Sequence, residues 1–298
     1  MCITFFGFNY IKGLKFYLMF NRDEDLSRPT IPLKSYDDTL LYSLDEISGG
    51  TFLCINKKTG NFACLLNHPR TDNPYKEGLT LKRGAIPIDF CKIEFNEESL
   101  NKFFDNLKKT IEEYNGYNFV CGNFNVNYAY YFTNNFSDKG IKIDQLPIVL
   151  NDKSIHGVEN KFLYEDSVRV NHGIKLFKET LSLENDKNSE NLFEVVRAKV
   201  MENHTKLTDI KKLDKKDIED PIKFKLFRKG CIYIKDKENI SDEEHFFEFG
   251  TRQTISIQVD ESNTVKITER FGGIEKHDNS KLIINREKDT YKNITYSL

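Results

Sequence analysis

The sequence predicts an α+β chain in which antiparallel sheet carries packed helices. Three observations lead there. The apolar runs are short, strand-like and separated by turn residues, as in Cys2–Phe8, Asn9–Gly13 and Lys15–Phe20. Segments of helical periodicity fall between groups of strands, in the order strands, helix, strands, helices, strands. Hairpins dominate and no repeated βαβ alternation is visible, so the strands must pair with antiparallel neighbours.

Taken in order, Cys2–Phe8 and Lys15–Phe20 form a hairpin at the N-terminus. A turn centred near Ile11–Lys12 places Cys2 opposite Asn21, within about two residues. Gly50–Ile55 and Asn61–Asn67 are strands around the turn Lys57-Lys58-Thr59-Gly60. Asn96–Tyr114 reads as a helix, with Leu100, Phe103, Phe104, Leu107 and Ile111 on one face. Asn118–Cys121 and Tyr128–Thr133 are strands. Phe162–Leu183 and Leu192–Asn203 are helices, and Lys206–Ile218 is charged and weakly periodic. Phe224–Ile234, Phe246–Asp260 and Val265–Phe271 return to strand. Asn185–Glu190 and Asp236–Glu244 are polar loops. No linker or repeat divides the chain, so residues 1–298 are read as a single domain.

Composition excludes several classes. Charged residues make up 30% of the 298, and the longest apolar runs fall far short of the ~20 residues that cross a bilayer. With 24 Phe and 14 Tyr the chain has the material for a core, against disorder. A net charge of −2 provides no global field for nucleic acid or an anionic membrane. The N-terminus lacks the basic start of a signal peptide, and Gly7, Asn9, Lys12 and Lys15 interrupt its apolar stretch. The six cysteines, Cys2, Cys54, Cys64, Cys91, Cys121 and Cys231, are scattered, several within apolar runs. They read as buried thiols of a reducing compartment. No CxxC or HxxxH pair suggests a metal site. The chain reads as cytoplasmic, with Golgi or mitochondrial association left open.

Cys2 stands out by position. Methionine is removed before a small second residue, which would leave a thiol and a free α-amino group on one residue. An amine of pKa about 7.7–8.0 beside a thiol of about 8.5 can act as its base. This is the N-terminal nucleophile arrangement. Asn21-Arg22-Asp23-Glu24 closes the second strand, and the hairpin count puts it beside Cys2. An Arg–Asp pair there could tune the thiol, fix the amine and clamp a carboxylate. The competing reading is an ordinary charged strand end, as is an incidental cysteine for Cys2.

These residues resemble the start of the transport and Golgi organisation protein 2 family, also called the NRDE family after its motif. Met1-Cys2-Ile3, Asn21-Arg22-Asp23-Glu24 and Ser27-Arg28-Pro29 carry the first part of the likeness. Gly49-Gly50-Thr51-Phe52-Leu53 is similar to the family's GGTWLG, Leu66-Asn67 to its LTN, Arg83-Gly84 to its RG, and Asn115-Gly116-Tyr117-Asn118 to its YNGFN. His156-Gly157-Val158-Glu159-Asn160 is similar to YGLSN, Phe249-Gly250-Thr251-Arg252-Gln253-Thr254 to YGTRTNT, and Thr268-Glu269-Arg270 to the closing TER. Phe52 replaces the family's Trp, Cys54 its Gly and His156 its Tyr, and Lys161-Phe162-Leu163 stands where Pro-Trp is common. These departures bear on pocket shape.

The resemblance implies the four-layer αββα sandwich of the N-terminal nucleophile hydrolases. By analogy within that fold, Asp23 would hold the α-amino group, Asn67 and Asn160 would aim donors at an oxyanion, and Arg252 would approach and stabilise the thiolate. It implies two functions. One is a binding role in Golgi organisation, protein secretion, lipid homeostasis and intracellular haem trafficking. Haem or acyl-coenzyme A would be cargo or ligand, held around Cys2 by Asn21, Arg22, Arg252 and His68. The other is a Cys-dependent hydrolase of an amide or thioester in a small acyl substrate. His68 with Cys64, or His156, supplies side chains of the kind that ligate haem iron, though no CxxCH is present. His172 and His204 fall on helices, and His245 and His277 in loops.

Overall fold

The computed structural model describes residues 2–68, 79, 81–135, 141–163, 165–183, 189–203, 232, 249–276, 282–284 and 286–298. The charged segment 206–218, most of the strand expected over 224–234, the loop 236–244, Cys231, His204, His245 and His277 lie outside them.

The architecture is mixed α+β with two antiparallel sheets. One is a seven-stranded meander of β3 (Thr30–Ser35), β4 (Leu40–Asp45), β5 (Leu53–Asn56), β6 (Asn61–Asn67), β7 (Tyr117–Asn123), β8 (Ala129–Thr133) and β9 (Ile148–Leu150), paired in that order. The other has six strands: β10 (His156–Val158), β1 (Ile3–Phe8), β2 (Leu14–Asp25), β11 (Phe249–Asp260), β12 (Thr264–Phe271) and β15 (Thr290–Ser297). A two-stranded ribbon joins β13 (Ile274–Lys276) to β14 (Leu282–Ile284). The helices are α1 (Ile86–Lys92), α2 (Glu97–Lys109), α3 (Val168–Leu183) and α4 (Ser189–Met201).

Three apolar clusters explain why the strand runs are nearly continuous rather than alternating. Phe16, Leu18 and Phe20 of β2 meet Leu53, Ile55, Phe62 and Leu66 of the other sheet, so the first cluster lies between the sheets. The alternate residues Cys54, Ala63, Leu65 and Phe119 pack on Phe90 of α1 and Phe104 of α2. Ile3, Phe5, Tyr17 and Met19 pack on Phe177 of α3 and Phe193 and Val196 of α4. Each sheet is therefore covered on both faces, which favours apolar residues at both parities. The polar residues buried in β2 and β11, such as Asn21, Arg22, Asp23 and Thr254, need hydrogen-bond partners.

Helix starts follow local chemistry. Asn96 caps α2 by accepting from the Ser99 N–H at 2.9 Å. Ser167 Oγ accepts from the Val170 N–H at 3.1 Å, so α3 starts after Ser167 rather than at Phe162. α1 escapes periodicity because its seven residues, with a Pro in the first turn, are too few to show a stripe. The buried stripe of α3 is Arg169, Gly173, Phe177 and Thr180. A β-carbon on Gly173 would overlap the ring of Phe5, which is itself fully buried. Gly173→Ala is expected to destabilise the fold by about 1–3 kcal/mol, the range of core overpacking. A urea midpoint unchanged from wild type would show that α3 can retreat without cost.

Candidate functional site

The site grows out of strand register. β1 pairs β2 with Ile3 opposite Asn21, and β10 with Thr4 opposite Val158. Continued along the antiparallel count, Cys2 falls beside Arg22 on one flank and Asn160 on the other. β11 places Gln253 against Arg22 and Thr251 against Asp23, with Arg252 bulged between them. Arg22 and Gln253 pair across strands ~4.8 Å apart, and the same count carries Cys2 and Asn160, just beyond the paired residues of β1 and β10, towards them. A bulge re-aims one side chain without ending the strand, and in β11 that residue is Arg252.

The register is one residue away from the count that put Cys2 opposite Asn21. The turn is centred on Lys12, because Asn9 (φ 51°) and Gly13 (φ 81°) both take left-handed conformations. A slip of one residue exchanges faces. Cys2 consequently shares its face with Arg22, while Asn21 turns to the helix side. There Asn21 donates to the carbonyls of Met201 at 2.8 Å and Ile232 at 3.1 Å, and accepts from Thr254 Oγ1 at 2.8 Å.

Arg22 is buried and held from several sides. It donates to Asp45 Oδ2 at 2.9 Å and Thr30 Oγ1 at 2.9 Å, and its guanidinium lies 5.2 Å from the centre of the Phe52 ring. Arg28 grips the same Asp45 with Nε at 2.5 Å and Nη2 at 3.0 Å. Burial pushes the Asp45 pKa up. The Arg28 and Ser48 N–H bonds and the charges of Arg28 and Arg22 outweigh it and hold the carboxyl below its usual value.

Asp23 points to α3. Its Oδ2 accepts from Arg169 Nη2 at 2.9 Å and its Oδ1 from Thr251 Oγ1 at 2.7 Å. Arg169 Nη1 also reaches Glu159 Oε2 at 3.3 Å, and Ser167 Oγ donates to the same carboxylate. Glu159 immediately precedes Asn160, whose Nδ2 donates to the Asn67 carbonyl. Asn160 Oδ1 is buried with no hydrogen-bond partner. Next to Asn67, His68 is buried with Nδ1 3.1 Å from Asn118 Oδ1 and its ring edge-on to Phe162. Burial pushes the His68 pKa down. Asn118 donates to the carbonyls of Glu159 at 2.8 Å and Lys161 at 2.6 Å, tying the Asn160 segment to β7.

Arg252 donates through Nη1 to the Gly272 carbonyl at 2.9 Å and lies 4.4 Å from the centre of the Phe271 ring. Its Nε is buried and without a hydrogen-bond partner. Burial, and then the like charge of Arg22, bring its pKa down to about 10. Cys2 is 9% exposed, and burial pushes its thiol up. The N-terminal amino group opposes this most, Asp23 and Glu24 act with burial, and Arg22 acts with the amino group. Cys64, buried beneath on β6, is also raised, first by burial and then by Cys2.

Hydrogen bonds link Asp23 through Arg169 to Glu159, whose neighbour Asn160 bonds Asn67, and charge couples Cys2 to Asp23 and Arg22 to Arg252. His172 lies apart, with Nε2 3.3 Å from Asn203 Oδ1, and His156 stacks on Phe6 with Asp152 at 3.1 Å. Arg169 escaped the sequence reading because a lone cation on a helix gives no sign of being buried. Glu159, Thr251 and Asn118 stood inside quoted motifs, with nothing to distinguish them from their neighbours. Among the described residues no group of three or more His, Cys, Asp or Glu side chains could hold a metal ion.

A family model described as Transport and Golgi organisation 2 matches residues 1–272. The chain belongs to the Transport and Golgi organisation 2 family. No curated protein matches it. Among the described residues, no helix of this Transport and Golgi organisation 2 chain is long and apolar enough to cross a membrane. Its motif segments touch one another. Thr51 N–H donates to the Gly84 carbonyl at 2.8 Å, Arg83 Nη1 to the Gly116 carbonyl at 2.6 Å, and His68 N–H to the same carbonyl at 3.0 Å. The GG, RG and NG elements form one backbone-packed unit beside the end of β6.

Proposed function

We propose that the region around Cys2 binds an anionic small molecule, haem or an acyl-coenzyme A, as the molecular basis of a carrier role in secretion, lipid homeostasis and haem movement. One observation carries this reading. Among the described residues Arg252 makes no ion pair, whereas Arg22 faces Asp45 and Arg169 faces Asp23 and Glu159. A half-buried guanidinium facing only a carbonyl and a ring retains donors and charge for an incoming anion. In this reading Asn67, Asn160 and His68, which are grouped by the Asn160–Asn67 and His68–Asn118–Glu159 hydrogen bonds, would contribute the neutral donors.

The alternative reading is hydrolytic, favoured by the adjacency of Cys2 and Asp23. With Met1 removed, the α-amino group would take the thiol proton and the thiolate would add to an amide or thioester carbonyl. Asp23 would orient the amine, Asn67 and Asn160 would face the developing oxyanion, and Arg252 would stabilise negative charge. Both readings sit on the fold of the N-terminal nucleophile hydrolases. The three clusters, between the sheets and on each outer face, support an αββα stacking of that kind within one domain.

Titration with haem and with an acyl-coenzyme A, with the same samples assayed for acyl release, separates the readings. Arg252→Ala is expected to weaken binding by about 1.5–3 kcal/mol, the worth of a charge-assisted hydrogen bond. That is a loss of roughly 10- to 150-fold in Kd. For a carrier, Cys2→Ser leaves affinity intact. For a hydrolase, Cys2→Ser keeps binding and loses turnover. Absence of both binding and acyl release in the wild type would overturn both readings.

A further inference from the structure

Arg169 is a buried cation that no motif announces. It comes from the first turn of α3, 146 residues from Asp23, and its guanidinium spans two carboxylates. The side chains of Asp23, Arg169 and Glu159 are 0%, 5% and 7% exposed. A buried carboxylate–guanidinium–carboxylate triad persists only where geometry holds it closely. Ser167, the cap of α3, adds a second bond to Glu159.

The two carboxylates lie on opposite flanks of Cys2. Asp23 follows Arg22, which is beside Cys2 on β2, and Glu159 precedes Asn160, which is beside it past β10. We propose that Arg169 is the positioning residue of the Cys2 site, holding Asp23 on one flank and, through Glu159, the Asn160 segment on the other. The inference rests on Cys2 being the reactive group of the hydrolytic reading.

Charge makes this measurable. The groups acting on the Cys2 thiol are the N-terminal amino group and Arg22, which favour its thiolate, Asp23 and Glu24, which disfavour it, and the buried Cys64. Arg169 neutralises Asp23 at contact distance. Its loss removes that positive charge from beside Asp23, which disfavours the Cys2 thiolate and raises its titration.

The readout is the rate of Cys2 alkylation by iodoacetamide from pH 6 to 10 on the full chain, followed by peptide mass spectrometry. Arg169→Gln is expected to move the Cys2 titration up by about one unit, slowing labelling at pH 7 about tenfold. Arg169→Lys restores the cation and should return the rate to within about threefold. A Gln variant with the wild-type profile, or a Lys variant no better than Gln, overturns the proposal. If Arg169→Gln does not fold, Arg169→Gln/Glu159→Gln keeps the buried net charge and must still move the titration up, by less than the single variant, because Asp23 loses its adjacent cation while the Glu159 charge is removed. Acyl release by the wild type and by Cys2→Ser tests the hydrolytic reading separately. A moved profile without acyl release retains Arg169 and removes the hydrolase, and an unmoved profile with acyl release does the reverse.

Discussion

Asp45→Ala is expected to lower the unfolding free energy by about 3–5 kcal/mol, the cost of stripping a buried cation of its partner. Arg22 is only 4% exposed, and Asp45 is its shortest ionic contact. Thr30 and the Phe52 ring remain after the change but carry no charge, and the Glu24 carboxylate, longer at 3.6 Å and a quarter exposed, replaces only part of the lost attraction. Arg28, at 30% exposure, can turn to water and adds little. Asp45 also accepts from the Ser48 N–H at 2.9 Å, so the turn leading to Gly49-Gly50 loosens with it. Urea unfolding at pH 7 measures the loss, and a value under about 1 kcal/mol would mean that water replaces the carboxylate.

The same residue predicts an acid limb. Its folded-state pKa lies below the usual 3.8. Its contribution is therefore present above the unfolded value and disappears as pH falls through the depressed folded value. The stability gap between wild type and Asp45→Asn should stay constant from about pH 5 to 7 and narrow below about pH 4. A gap that widens on acidification would contradict the sign.

Gly84→Ala is the second large effect. A β-carbon on Gly84 would stand 2.9 Å from Gly50 Cα, and one on Gly50 would stand 2.6 Å from Gly84 Cα. Both neighbours are backbone, so no side chain can swing aside. Either alanine is expected to cost about 3 kcal/mol, the upper part of the overpacking range. Gly49 provides the internal control. It holds φ +71°, yet its β-carbon would meet nothing within 4 Å. Gly49→Ala should cost only the left-handed strain, about 1 kcal/mol, and Gly49→Asn less. Equal losses at Gly49 and Gly84 would show that backbone conformation rather than close approach sets these positions.

Local chemistry made much of the fold legible. The turn at Lys57–Gly60, the α2 stripe of Leu100, Phe104 and Leu107, and the hairpin that opens the chain follow from periodicity and turn residues over short spans. Elements of three to seven residues, such as α1, β9 and β10, fall below what periodicity can register. β3 and β4 were hidden for another reason. β3 mixes buried, half-buried and exposed positions and a register shift between Ile31 and Lys34 breaks its alternation, while β4 buries Leu40 and Leu41 in succession and then Ser43 and Asp45, which read as polar. β15 is mostly polar and exposed, and only its pairing with β12 makes it a strand.

For the site, sequence alone determined that the NRDE segment closes the second strand of a hairpin whose first strand begins at Cys2. Turn length decides that, and the turn is local. Tertiary structure decided which face each residue takes. The left-handed Asn9 and Gly13 shift the pairing by one, which places Arg22 beside Cys2 and sends Asn21 to the carbonyls of Met201 and Ile232. Tertiary structure alone also brought Arg169 to Asp23 and Glu159 and the Arg252 bulge to Arg22. The Arg169–Asp23 contact joins segments 146 residues apart, and what selects it is the free energy of burying charge against countercharge, which no local pattern encodes.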